Sequence, residues 1–172
     1  MTKKLARISF TILAALIFLA ACKKTSMQAN GYASTQFGNT ATVKMSNGWW
    51  VNISLPGLGN LTPTPVFFST YNTAANSPDS MWLDDLGNGY VFKCVAAVNY
   101  PALTFSATNS INIYDSAETV NILNGKVLPK AGHSRAGNIT DSLYMQAIFS
   151  DDLTDTFTIA GTARTGFDED DY

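Results

Sequence analysis

A strict two-residue alternation restricts this chain more than any other feature. Trp49, Val51, Ile53 and Leu55 alternate with Trp50, Asn52 and Ser54. Leu143, Met145, Ala147 and Phe149 alternate with Tyr144, Gln146 and Ile148, and Phe157, Ile159, Gly161 and Ala163 with Thr158, Ala160 and Thr162. A strand sends successive side chains to opposite faces, so this period reads as half-buried β-strand. No segment after the N-terminal apolar run sustains the 3.6 period of an amphipathic helix. Further strand-like runs are Val66 to Asn72, Asp79 to Asp85, Tyr90 to Asn99, Ala102 to Thr108 and Ser110 to Tyr114. Glu118 to Leu123, Asn124-Gly125 and Lys126 to Leu128 read as a further hairpin, and Gly87-Asn88-Gly89 as a tight turn. Pro129 to Ile139 reads as a flexible loop, and the acidic end Asp168 to Tyr172 as solvated. Eight to ten strands on short loops must close or stack to protect their edges. Consecutive hairpins favour an antiparallel up-and-down β-barrel, with a β-sandwich as the alternative.

The first residues carry a different signal. Lys3, Lys4 and Arg7 precede a mostly apolar, uncharged run from Ile8 to Ala21. A basic start, a short apolar run and small residues at its end form a secretory signal. The run is short for a membrane span, which needs ~20 residues. It ends in Leu19-Ala20-Ala21-Cys22, which resembles the lipobox of bacterial lipoproteins. That resemblance implies a lipid on the Cys22 thiol and cleavage just before it. The expected organisation is a signal peptide over 1–21, the lipidated Cys22 and a flexible tether over 22–39, and a single barrel domain over 40–172. The expected location is the bacterial cell envelope, anchored through Cys22. Lys23 after the lipidated Cys resembles lipoproteins sorted to the outer membrane.

Composition narrows the partners. The net charge is −2 and no basic stripe is present, so no nucleic-acid partner is expected. With Cys22 taken by lipid, Cys94 stands alone in an apolar run and reads as a core residue. One His, His133, and the absence of paired-ligand spacings predict neither metal nor other cofactor. The domain is expected to be a monomer.

Two sets of residues carry candidate chemistry. Gly132-His133-Ser134-Arg135-Ala136-Gly137 holds the weak catalytic candidates Ser134 and His133. It departs from the G-x-S-x-G elbow, since Ala136 stands two residues after Ser134. The second set is the inward face of a closed sheet. It comprises Trp49, Val51 and Ile53, then Tyr90 and Phe92, then Leu103 and Phe105. Met145, Phe149, Phe157 and Ile159 complete it. Such a face either lines an apolar cavity for a lipid-like ligand or forms a filled core.

Several stretches recur together in one known family. They are Trp49-Trp50-Val51, Tyr71-Asn72-Thr73-Ala74-Ala75-Asn76, Asp79-Ser80-Met81-Trp82-Leu83-Asp84-Asp85, Phe92-Lys93 and Leu103-Thr104-Phe105. Downstream come Asn124-Gly125-Lys126, Asp141-Ser142-Leu143-Tyr144-Met145, Phe149-Ser150-Asp151-Asp152 and Arg164-Thr165-Gly166-Phe167-Asp168-Glu169-Asp170. In order and spacing the set resembles the lipid-binding putative hydrolase family of bacterial lipoproteins. The resemblance implies an envelope lipoprotein with a compact antiparallel barrel similar to calycins, and a lipid ligand. It carries no catalytic residues onto this chain. Three readings stand: a lipid binder without catalysis, a hydrolase of lipid or ester substrates, and an envelope interaction module that uses Trp50 and Trp82.

Overall fold

The alternating runs become strands that wrap around one axis. The computed structural model describes residues 40–172, and the expected signal segment, Cys22 and tether lie outside them. A 3-10 turn, Val43–Met45, leads into β1 (Asn47–Leu55), β2 (Gly59–Asn60), β3 (Val66–Asn72), β4 (Ser80–Asp84) and β5 (Lys93–Asn99). Then come β6 (Thr104–Ile111), β7 (Thr119–His133), β8 (Ile139–Phe149), β9 (Asp152–Ala163) and a last 3-10 turn, Asp168–Asp170. β2 pairs only with the end of β1, at Ser54↔Asn60 and Leu55↔Gly59. From β3 onward each strand pairs antiparallel with the next, and β9 returns to β1 from Trp49↔Ala163 to Ser54↔Thr158. Eight strands, β1 and β3 to β9, therefore close an up-and-down barrel rather than stacking as a sandwich.

Three stretches differ from the sequence expectation for one physical reason, the β-bulge. Asn124-Gly125 makes no hairpin, because β7 runs unbroken from Thr119 to His133. Asn124 takes φ +54 and the register against β8 shifts between Leu123 and Lys126, so the turn-forming pair kinks the strand without reversing it. Gly125 fits there because a Cβ would lie 2.4 Å from the Phe105 ring. The expected loop from Pro129 begins as strand as well. Pro129 falls within a second register shift, between Leu128 and Gly132, where a residue without N–H does no harm. Residues 102–114, read as two strands, contain one, the bulged β6.

Closure depends on a close approach. At Gly161 on β9 an added Cβ would lie 1.9 Å from the Trp50 carbonyl oxygen and 2.6 Å from Val51 Cα. That is backbone, which cannot swing aside. The β4–β5 loop holds two strained residues, Leu86 at φ +54 and the β-branched, half-exposed Val91 at φ +60. Left-handed backbone costs an L-residue about 1–2 kcal/mol.

Two substitutions test these assignments in urea melts. Gly161→Ala is expected to destabilise the domain by about 3 kcal/mol, at the upper end of overpacking costs. Val91→Gly is expected to stabilise it by about 1 kcal/mol through relief of strain. Equal stability of Gly161→Ala and the parent would show that the β1–β9 seam has slack.

Candidate functional site

The inward face expected from the alternation lies inside the barrel. Trp49, Val51, Phe92, Met145, Phe149 and Ile159 have at most 1% of their surface exposed. Ile53, Phe105 and Phe157 are buried nearly as well, and Tyr90 and Leu103 are partly buried against the same core. The strand pairing brings Ile53, Ile159 and Met145 into one row, through Ile53↔Ile159 and Met145↔Ile159. Leu103 sits apart from the strands, in the turn before β6 at φ +54, where its carbonyl accepts a hydrogen bond from Val127 N–H at 2.9 Å. Side chains without accessible surface line no water-sized void, so side chains fill the barrel along this face.

Met45, Phe68, Met81, Leu83, Ile122 and Leu143 share that interior and are equally buried. Sequence reasoning did not single out Phe68 because Val66, Phe67 and Phe68 are apolar on both faces of β3. Met45 lies before the first alternating run and had no periodic signal. Its carbonyl accepts a hydrogen bond from Thr70 Oγ1, which in turn accepts one from Trp49 Nε1 at 2.8 Å.

At one end of the barrel the core turns aromatic. Tyr90 stacks on Phe149 with ring centres 3.8 Å apart, and Phe157 lies 4.8 Å away. Phe92 meets Phe149 edge-on at 5.4 Å. Of these four rings only Tyr90 keeps a partly exposed surface. It is carried over the barrel mouth by the loop between β4 and β5, and Asp85 organises that loop. The buried Asp85 carboxylate accepts hydrogen bonds from Gly87 N–H at 2.9 Å, Val91 N–H at 2.6 Å and Phe92 N–H at 3.0 Å. Burial pushes its pKa up, against those backbone donors. The buried Asn112 donates to the Val91 carbonyl at 3.1 Å and to Glu118 Oε2 at 2.6 Å. Leu58, Leu61, Val91 and Ile113 on the loops at this same end, and Leu153 at the start of β9, are exposed.

The weak catalytic candidates lie at the opposite end, in the β7–β8 connection. Ser134 Oγ accepts a hydrogen bond from Asn138 N–H at 3.0 Å and donates to Asp170. The exposed His133 faces its own loop, with Nδ1 3.3 Å from the Gly137 carbonyl. The structure thus brings Ser134 to an acid, Asp170, and leaves His133 to Gly137. The acidic end is solvated only in part: Asp168 and Glu169 are exposed as expected, whereas Asp170 and Asp171 are engaged. Asp170 is buried, accepting from Ala136 N–H at 2.7 Å and Thr165 Oγ1 at 2.6 Å. Hydrogen bonds from Ser134 and Thr165 hold its carboxyl down at about 2. Asp171 pairs with Arg164 and accepts from Trp50 Nε1 at 3.1 Å, and Tyr172 packs on Trp50. The charge run is a latch across this rim.

On the outer wall, Asp84 accepts from Tyr71 Oη at 2.6 Å and Tyr114 Oη at 2.7 Å and pairs with Lys93 Nζ at 3.2 Å. Burial pushes the Asp84 carboxyl up, but these partners outweigh it and hold it below 3.8. Lys93 Nζ also lies over the Trp82 ring at 5.2 Å. Cys94 is fully buried and its thiol is pushed up to about 12, which suits a core residue. Asp152 Oδ1 is turned onto Thr154 and Asp155 of its own turn. Among the described residues no three His, Cys, Asp or Glu side chains gather where they could share a metal.

Fold and interior define a class: a closed eight-strand antiparallel barrel with an apolar, aromatic-ended interior. The family model described as lipid-binding putative hydrolase matches residues 34–168, and the chain belongs to that family. No curated protein matches the chain.

The Asp170 latch has a defined pH window. Its carboxyl titrates lower in the folded state than its ordinary 3.8, so its stabilisation is complete above about pH 4 and is lost as pH falls towards about 2. Amide protection across 134–138 and 164–172, measured as exchange relative to the intrinsic rate at each pH, is expected to fall over that interval. In Asp170→Asn that protection should be low throughout and nearly independent of pH. Matching profiles in the two proteins would remove Asp170 from the latch.

Proposed function

We propose that this chain is a membrane-anchored, monomeric envelope lipoprotein that takes a lipid-like or small apolar ligand into its barrel and does not turn it over. The four-ring mouth, where Tyr90 alone keeps an exposed surface, carries this reading. The filled interior admits a chain only if something yields, and Tyr90 is the ring placed to yield. A stacked aromatic pair contributes about 0.5–1.5 kcal/mol. Each buried methylene of an entering alkyl chain returns about 0.8 kcal/mol. Several methylenes therefore outweigh a displaced ring. The family description supports a lipid as the occupant. The separate engagements of Ser134 and His133 favour binding over serine-type hydrolysis. Anchoring through Cys22 rests on the Leu19-Ala20-Ala21-Cys22 pattern, and sorting to the outer membrane on Lys23 after it.

Native mass spectrometry of the chain released gently from membranes tests this. An adduct of lipid size, lost on organic extraction, is the expected result. Tyr90→Ala is expected to tighten uptake of a neutral fluorescent hydrophobe by about 3- to 10-fold, the equivalent of one lost ring stack. An unliganded mass that persists through incubation with a lipid panel, together with no effect of Tyr90→Ala, would point to the packed-core interaction module.

A further inference from the structure

A second recess lies on the outside of the barrel, away from the aromatic mouth. The register Asn99↔Thr104, Thr104↔Lys126 and Lys126↔Tyr144 sets four outward side chains in a row across β5, β6, β7 and β8. Ser106 and Asn124 lie beside that row, and together these residues border an open cleft of about 770 Å³. That volume is in the range of small-molecule sites. The bulge at Asn124-Gly125 shapes it by bending β7. Val98, partly buried, and the Tyr144 ring contribute an apolar part of its wall.

The chemistry of the lining is one-sided. It offers an ammonium group, three hydroxyls and two amides, and no carboxylate. Lys126 Nζ lies 5.1 Å from the Tyr144 ring centre. It takes part in neither of the two ion pairs found among the described residues, Lys93 with Asp84 and Arg164 with Asp171. An ammonium without an acid, surrounded by hydroxyl and amide donors, is complementary to an oxyanion. We propose that this cleft binds a phosphate group, carried by the headgroup of an anionic lipid or by a free phosphate ester. Lys126 supplies the charge, Thr104, Ser106 and Tyr144 supply hydroxyl donors, and the wall of Val98 and the Tyr144 ring takes the adjoining apolar part. The cleft is outside the barrel, so the proposal stands whether or not the interior takes a ligand.

The test follows amide NMR shifts of Ser106, Asn124 and Lys126 in the full chain held in non-ionic micelles. Phosphatidylglycerol added to the micelle is expected to move these signals, and phosphatidylcholine to leave them. Lys126→Gln should weaken the response about 10-fold, Lys126→Arg should restore it, and Lys130→Gln, outside the cleft, should match the parent. Inorganic phosphate and glycerol phosphate identify the source. If they saturate the same signals as tightly as the lipid does, the ligand is a free phosphate ester; if far more weakly, it is a lipid headgroup. Either outcome upholds the site. It is overturned if no phosphate compound moves these signals, if phosphatidylcholine acts equally, or if Lys126→Gln responds as the parent does.

Discussion

The pairing of β1 with β9 is the constraint on which the rest depends. A meander of strands is an open ribbon with two exposed edges until its first and last members meet. Here they meet over six residue pairs, and the chain travels from Trp49 to Ala163 before the ring is complete. Gly161 sets the spacing at this seam, because any side chain there would strike the Trp50 backbone. Once the ring is closed, every alternating run has an inside. Trp49, Val51 and Ile53 of β1 then share a core with Leu143, Met145, Ala147 and Phe149 of β8.

Closure at eight strands also limits the interior. A ring of this size is just wide enough for its own side chains or one small ligand. In this chain large residues occupy it: Trp49, Phe68, Phe92 and Phe149 have almost no accessible surface. Binding must then proceed by exchange, a ligand replacing side-chain contacts already made. Exchange costs least where a ring is held by stacking and by a single loop. Tyr90 comes nearest to that description, since beyond its stack and its loop it has a hydroxyl bond to Asp151 at the rim, whereas Trp49 is pinned through Thr70 to the Met45 carbonyl.

The period-two pattern made the barrel legible because one face of each strand is buried and the other is wet. It made most of the interior legible for the same reason. What escaped was local chemistry that resembles something else. Asn124-Gly125 is the residue pair of a hairpin turn, yet pairing with β6 and β8 on both sides holds the strand extended through it. Pro129 suggested a loop, but it sits at a bulge where its missing N–H is not needed. The acidic tail suggested solvent, since nothing local in Asp168 to Asp171 reveals partners as remote as Trp50, Ser134 and Ala136. The Lys126–Tyr144 cleft was invisible for a related reason. Its residues come from four strands, and only the register places Asn99, Thr104, Lys126 and Tyr144 side by side.

The two rims of the barrel use buried acids in the same way, with different consequences. Asp85 at one rim and Asp170 at the other are each enclosed by donors from a loop that makes no ladder of its own. A buried carboxylate is costly unless it is saturated with hydrogen bonds, so each acid forces its loop into the one conformation that satisfies it. At the Asp170 rim the donors come from Ala136, Asn138 and Thr165, and the result is a seal between the β7–β8 connection and the tail. At the Asp85 rim the donors are the backbone N–H groups of Gly87, Val91 and Phe92, which places Tyr90 among them and over the mouth. The strain at Val91 belongs to that second arrangement. Side-chain bonds from Asp85 and Asn112, rather than a strand ladder, hold this loop against the backbone preference of Val91. That property suits the mouth of a barrel whose interior is already full.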